Sequence, residues 1–104
     1  YLNDGVFAGE RILPEGWVGY STTPTPASLE ARAYGAQFWL NTRGENQWMP
    51  AVPEDAYAAR GHYGQSVIII PSRQLVVVRM GQTFNPSAWD TEAFLVGLLD
   101  ALPQ

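Results

Sequence analysis

Ser66-Val67-Ile68-Ile69-Ile70-Pro71-Ser72-Arg73-Gln74-Leu75-Val76-Val77-Val78-Arg79-Met80 holds two β-branched runs on either side of a short polar break at Ser72-Arg73-Gln74. Side chains branched at Cβ are stiff about χ1 and pack well on a pleated surface, so each run reads as a strand. Together they predict a β-hairpin over about 65–71 and 75–81. An antiparallel strand with one wet face should alternate apolar and polar residues, whereas Val67 to Ile70 and Leu75 to Val78 are apolar on both faces. Both faces of the hairpin are therefore expected to be covered. At about 25 cal/mol per Å² of apolar area, an open face of Val and Ile would forgo a large share of a small domain's stability.

Downstream of the hairpin, Asn85 or Ser87 can cap a helix in which Phe94, Leu98 and Leu102 recur at helical spacing, flanked by Leu95 and Leu99, until Pro103 ends it. Its expected span is about 88–102, and it can cover one face of the hairpin. Upstream, Tyr34-Gly35-Ala36-Gln37-Phe38-Trp39-Leu40-Asn41 is aromatic-rich and bounded by turn residues, which predicts a further strand over about 34–41. Residues 41–53 then read as a loop. Pro14 and Glu15 suit a first helical turn, so one or two turns are expected from Pro14 to Tyr20. Leu2 to Leu13 reads as turns joining short elements, and Ser21 to Pro26 as an extended connection. The fold class is α+β, an antiparallel sheet with a C-terminal helix. For the second sheet face the chain offers only the segment near Trp17 and a helical turn near Leu29–Arg32. The remainder of a larger domain, or a second copy of the chain, is expected to complete the cover.

Composition narrows the chemistry. With 104 residues and 46% hydrophobic content, residues 1–104 suit one small globular unit, here expected to be a single incomplete domain. The apolar runs fall far short of the roughly 20 residues a membrane span needs. A net charge of -4 with six scattered basic residues, all Arg, leaves no basic patch to displace phosphate counterions, so nucleic acid is an improbable partner. No Cys excludes disulfides and thiolate chemistry and leaves the redox compartment undetermined. A single His argues against a metal centre, and no cofactor is implied. The absence of Lys removes every mechanism in which this chain's own Lys acts as base or Schiff-base former. The sequence opens at Tyr1 without an initiator Met or a signal sequence, and is expected to be a processed product or a piece of a longer chain.

Chemistry concentrates in Arg60-Gly61-His62-Tyr63-Gly64-Gln65, where two glycines flank the single His. Glycines permit close backbone approach to a ligand, an N–H just after Gly64 could face a developing oxyanion, and His62 could donate a hydrogen bond. The same residues also fit a β-bulge with an ordinary half-exposed His. Ser66 lies four places from His62, about 13 Å along a regular strand, too far for a Ser–His pair. Glu54-Asp55 fits a solvated turn better than acid–base work. Trp17, Trp39 and Trp89 fit core positions, while Trp48, in a polar loop, could stack on a ligand.

Four blocks in order then resemble a known family: Leu2-Asn3-Asp4-Gly5-Val6 through Gly9-Glu10-Arg11-Ile12-Leu13-Pro14-Glu15-Gly16-Trp17-Val18, Tyr34 to Asn41, Ala59 to Gln65, and Ile70-Pro71-Ser72 with Leu75-Val76-Val77-Val78-Arg79-Met80-Gly81. They look like the C-terminal third of serine β-lactamase-related hydrolases, which include class C β-lactamases, penicillin-binding proteins, serine esterases and 6-aminohexanoate-dimer hydrolases. Family enzymes attack an acyl carbonyl with the Ser of a Ser-x-x-Lys motif, use a Tyr-x-Asn motif, and carry Lys-Thr-Gly or a variant such as His-x-Gly on a strand lining the pocket. The resemblance implies that His62-Tyr63-Gly64 is the third motif and contacts an ester or amide substrate. It implies that His62 orients substrate or the catalytic hydroxyls and that the Gln65 N–H is one oxyanion donor. His in place of Lys favours esterase or amidase chemistry over β-lactam hydrolysis. Without Lys, Ser-x-x-Lys cannot be written in this sequence, and Tyr1-Leu2-Asn3 matches Tyr-x-Asn only by coincidence of letters. The chain alone is expected to be inactive, its nucleophile and the missing sheet cover lying in an absent segment. The alternative is a non-catalytic, aromatic-rich binding or dimerisation module.

Overall fold

The computed structural model describes residues 1–26 and 33–103. The helical turn expected near Leu29–Arg32 lies outside the described residues. The order of elements is β1 (Val6–Phe7), β2 (Glu10–Arg11), α1 (Trp17–Ser21), β3 (Trp39–Leu40), β4 (Tyr57–Arg60), β5 (Ser66–Ile70), β6 (Leu75–Arg79) and α2 (Thr91–Ala101). β1 and β2 form a two-stranded antiparallel ribbon, and β3-β4-β5-β6 form an antiparallel sheet in sequence order.

The hairpin forms where the β-branched runs place it, in register from Ile70↔Leu75 to Ser66↔Arg79. Its turn is a short 3₁₀ segment, Pro71–Arg73, closed by Gln74 at φ 49. Asp55 braces that turn, accepting from the Ser72 backbone N–H at 2.6 Å and its hydroxyl at 2.8 Å. Glu54 forms a solvent-exposed ion pair with Arg43 at 2.9 Å, so both members of the acidic pair have structural partners. β4, Tyr57-Ala58-Ala59-Arg60, carries no β-branched residue and no strand signature. It is extended because all of its residues pair with β5, from Tyr57↔Ile69 to Arg60↔Ser66, a case of tertiary pairing overriding local preference.

The strand expected over 34–41 is corrected to Trp39–Leu40. Tyr34 bridges back to Trp39, the Gly35 N–H donates to the Phe38 carbonyl at 2.8 Å, and Gln37 sits at φ 74, so the segment is a tight reversal. The Ala36 N–H is drawn instead to the Ser21 carbonyl at the end of α1, at 3.0 Å. A backbone donor satisfied there is not available to a ladder.

The C-terminal helix starts at Thr91 rather than near residue 88, because Asp90 is its cap, accepting from the Ala93 N–H at 3.0 Å. Asn85 caps the 3₁₀ turn before it, Pro86–Ala88. The buried stripe is Leu95 and Leu99, the residues expected to flank it, while Phe94 is 44% exposed. Trp17, expected in the core, lies exposed on the surface with its Nε1–H donating to the Tyr1 hydroxyl at 3.1 Å.

The two sheet faces differ. Ile68 and Ile70 pack with Met49, Val52, Ala58, Leu95 and Leu99, so α2 and the loop before β4 seal one face. On the other, Leu40, Tyr57 and Ile69 form a small cluster with Leu2, Val18 and Phe38 beside it. Cover then stops, leaving Val67, Val76 and Val78 exposed next to an open apolar groove of about 770 Å³ between the β1–β2 ribbon and the sheet. Among the described residues, no helix is long and apolar enough to cross a membrane.

Candidate functional site

The chain crosses from β4 to β5 through residues 61–65, closed by the Gly61 N–H donating to the Gln65 carbonyl at 2.7 Å. Within it, His62–Gly64 is a single 3₁₀ turn in which Tyr63 (φ 60) and Gly64 (φ 79) are both left-handed. The expectation of a His-x-Gly strand is therefore corrected: the motif forms the turn that joins β4 to β5. Two consecutive left-handed residues cannot continue a ladder, so pairing ends at Arg60↔Ser66. Glycine suits position 64 by its left-handed φ, and a Cβ there would stand 2.9 Å from Nη1 of Arg79, so any larger residue would also displace that guanidinium.

That guanidinium organises the loop from β6. Arg79 Nη1 donates to the Gly64 carbonyl at 2.8 Å, Nη2 donates to Thr83 Oγ1 at 2.6 Å, and the group lies 4.2 Å over the Trp89 ring. The Thr83 N–H donates to the Tyr63 carbonyl at 2.9 Å. The β6–α2 connection thus grips the loop by backbone and side chain together. Tyr63 also meets Phe84 edge-on, with ring centroids 4.9 Å apart, and His62 lies against Tyr63 at 3.8 Å.

Loop and connection enclose a cleft of about 380 Å³ whose wall includes Trp48, His62, Tyr63, Gln65, Phe84 and Trp89. His62, Tyr63, Gly64 and Gln65, all singled out from sequence, lie together on it. Arg60 at its edge stacks 4.6 Å over the Trp48 ring. The Gln65 N–H, the expected oxyanion donor, is turned into the loop toward the His62 carbonyl at 3.4 Å, a long bond, and the Gln65 side-chain amide donates to the same oxygen at 3.1 Å.

Tyr1 packs on Phe38 with centroids 4.7 Å apart and does not line this cleft. Ser66 opens β5 and lines the cleft beside Gln65, but forms no hydrogen bond with His62 among the described residues. Sequence reading overlooked Arg79, Thr83 and Phe84; the one available signal was Arg79 itself, a charge ending an otherwise apolar strand. Among the described residues no group of three or more His, Asp or Glu side chains could hold a metal ion. No family model and no curated protein sequence matches this chain.

Proposed function

We propose that the chain is the C-terminal part of a serine acyl hydrolase acting on ester or amide bonds, with residues 61–65 forming one wall of its active site. The observation that carries this reading is that His62, Tyr63, Gly64 and Gln65 all line one cleft, on a turn that Gly64 holds at φ 79. In the proposed enzyme His62 positions the substrate and Gln65 supplies one backbone donor to the tetrahedral oxyanion. The 3.4 Å bond that occupies this N–H is weak enough to be exchanged for a developing negative charge. With no Lys in the chain, the Ser-x-x-Lys nucleophile belongs to another polypeptide segment. The exposed face at Val67, Val76 and Val78 is the surface that segment would cover.

The test uses the backbone itself. Gln65 sits at φ -72 and ψ 143, which proline adopts, and its N–H is not part of the β4–β5 ladder. In the polypeptide that includes the upstream reading frame, a fluorophosphonate probe should label one Ser, and Gln65→Pro should lower kcat for a p-nitrophenyl ester by about a hundredfold or more. The chain alone should show neither labelling nor turnover. Labelling of the isolated chain, or full activity in Gln65→Pro, would overturn the assignment.

A further inference from the structure

We propose that the cleft beside residues 61–65 selects a planar aromatic acyl group, neutral or anionic, packed against Trp48, Tyr63, Phe84 and Trp89. This rests on the reading of that loop as a substrate wall and adds the substrate class. A volume of about 380 Å³ lies at the small end of ligand cavities, room for one or two fused rings and not for a polymer. Phe84 stands 71% exposed and Tyr63 36% exposed at its margin, an apolar cost that a bound ring would relieve. Trp48, Tyr63, Phe84 and Trp89 all line the cleft, and ring–ring contact rewards a flat partner beyond its buried area.

Charge refines the class. The chain carries ten acidic residues against six basic, yet no carboxylate lines the cleft. Instead a guanidinium lies over each of its two indoles, Arg60 on Trp48 and Arg79 on Trp89. Among the described residues Arg79 makes no ion pair, its partners being a carbonyl, a hydroxyl and a ring. Indoles already engaged by cations are poor receptors for a cationic ligand, so the site is not an ammonium cage. A saccharide is disfavoured as well, because its hydroxyl donors would meet the hydroxyls of Ser66, Thr83 and Thr91 and the Gln65 amide, without the stronger charged acceptor of a carboxylate.

Calorimetric titration of the full chain with 2-naphthoate, the acid product of an aryl ester, tests this against cyclohexanecarboxylate, 2-naphthyltrimethylammonium and methyl glucoside. Naphthoate should bind about tenfold or more tightly than the cyclohexane acid of equal charge, and the cation and the glycoside should not bind measurably. Trp48→Leu should weaken naphthoate binding about fivefold or more, and so should Phe84→Ala, a substitution at an exposed ring that leaves the core intact. Equal affinity for the two acids, measurable binding of the cation or glycoside, no binding of naphthoate at millimolar concentration, or indifference to both substitutions would overturn the proposal. No nucleophile takes part, so naphthoate binding can stand where probe labelling fails, and the reverse.

Discussion

Arg79 and Gly64, fifteen residues apart, are joined by a 2.8 Å hydrogen bond from the guanidinium to the glycine carbonyl, and the same guanidinium holds Thr83 and lies over Trp89. One side chain thereby fixes the loop that closes β4–β5 to the connection that leads into α2. Arg79→Met keeps length and apolar contact but removes both donors, and should cost about 1–2 kcal/mol, the exposure of the pair discounting the value of charged hydrogen bonds. Arg79→Lys should recover less than half of that, since a single ammonium cannot serve the carbonyl, hydroxyl and ring at once. Urea denaturation gives the energies, and amide exchange at Thr83, whose N–H donates to Tyr63, should accelerate in both variants. Unchanged exchange at Thr83 would mean that the loop is held by something else.

Asn41 has 0% exposure and organises residues 41–56. Its Nδ2 donates to the carbonyls of Met49 (2.9 Å), Val52 (3.1 Å) and Pro53 (3.0 Å), while its Oδ1 accepts the Met49 N–H at 2.7 Å. Asn41→Leu preserves volume and strands these backbone groups without partners, at a predicted loss of about 3–5 kcal/mol. Gln47→Ala, which removes only a contact to the Asn41 carbonyl, should cost under about 1 kcal/mol by the same reasoning. Comparable midpoints for the two variants in a chemical melt would refute the role assigned to Asn41.

Gly35 is buried where the chain turns back from Tyr34 to Trp39, and a Cβ there would fall inside the van der Waals shell of the Ser21 carbonyl oxygen. Gly35→Ala must therefore push α1 away from the reversal or break the Ala36-to-Ser21 bond, and is predicted to destabilise by about 2–4 kcal/mol. Gly9→Ala is a useful contrast: its φ of 80 is strained for alanine but nothing stands near the added methyl, so about 1 kcal/mol is expected. Thermal melts of the two variants should separate clearly, with Gly35→Ala the lower.

These residues also mark where sequence reading reached its limit. The hairpin was legible because Val67 to Ile70 and Leu75 to Val78 state their preference locally, and the 61–65 stretch because two glycines around a single His are unusual. Nothing local distinguishes Ala58-Ala59 as strand, or tells Asn41 in a loop from a surface Asn; both are decided by partners distant in sequence. Gly35 was read inside a strand over 34–41 and is instead the close contact at a chain reversal. Arg79 was read only as part of the second strand, although its guanidinium turns back over the loop from the strand's end. Cover of both hairpin faces, as expected, is complete on the α2 side and reaches only as far as Ile69 on the other, where Val76 and Val78 remain exposed.

Tyr57 gives the pH dependence. Its hydroxyl is buried without a hydrogen-bond partner among the described residues, and burial, with smaller contributions from Tyr1, Asp4 and Asp55, pushes its pKa up to about 12. Below about pH 10 folded and unfolded chains both hold this proton, so the contribution to stability is fully present. As pH rises from about 10 toward 12 the unfolded chain releases the proton first, and about 2–3 kcal/mol should be lost across that window. The chain has no Lys or Cys but four other tyrosines, so the comparison with a Tyr57 variant is what isolates this contribution. Tyr57→Phe removes the titrating group together with that buried hydroxyl. It should be as stable as the parent at pH 7, or more so by about 1 kcal/mol, and should lose less stability between pH 10 and 12. Urea midpoints measured at half-unit steps would decide it, and parallel curves for the two proteins above pH 10 would show that Tyr57 does not set the alkaline limit.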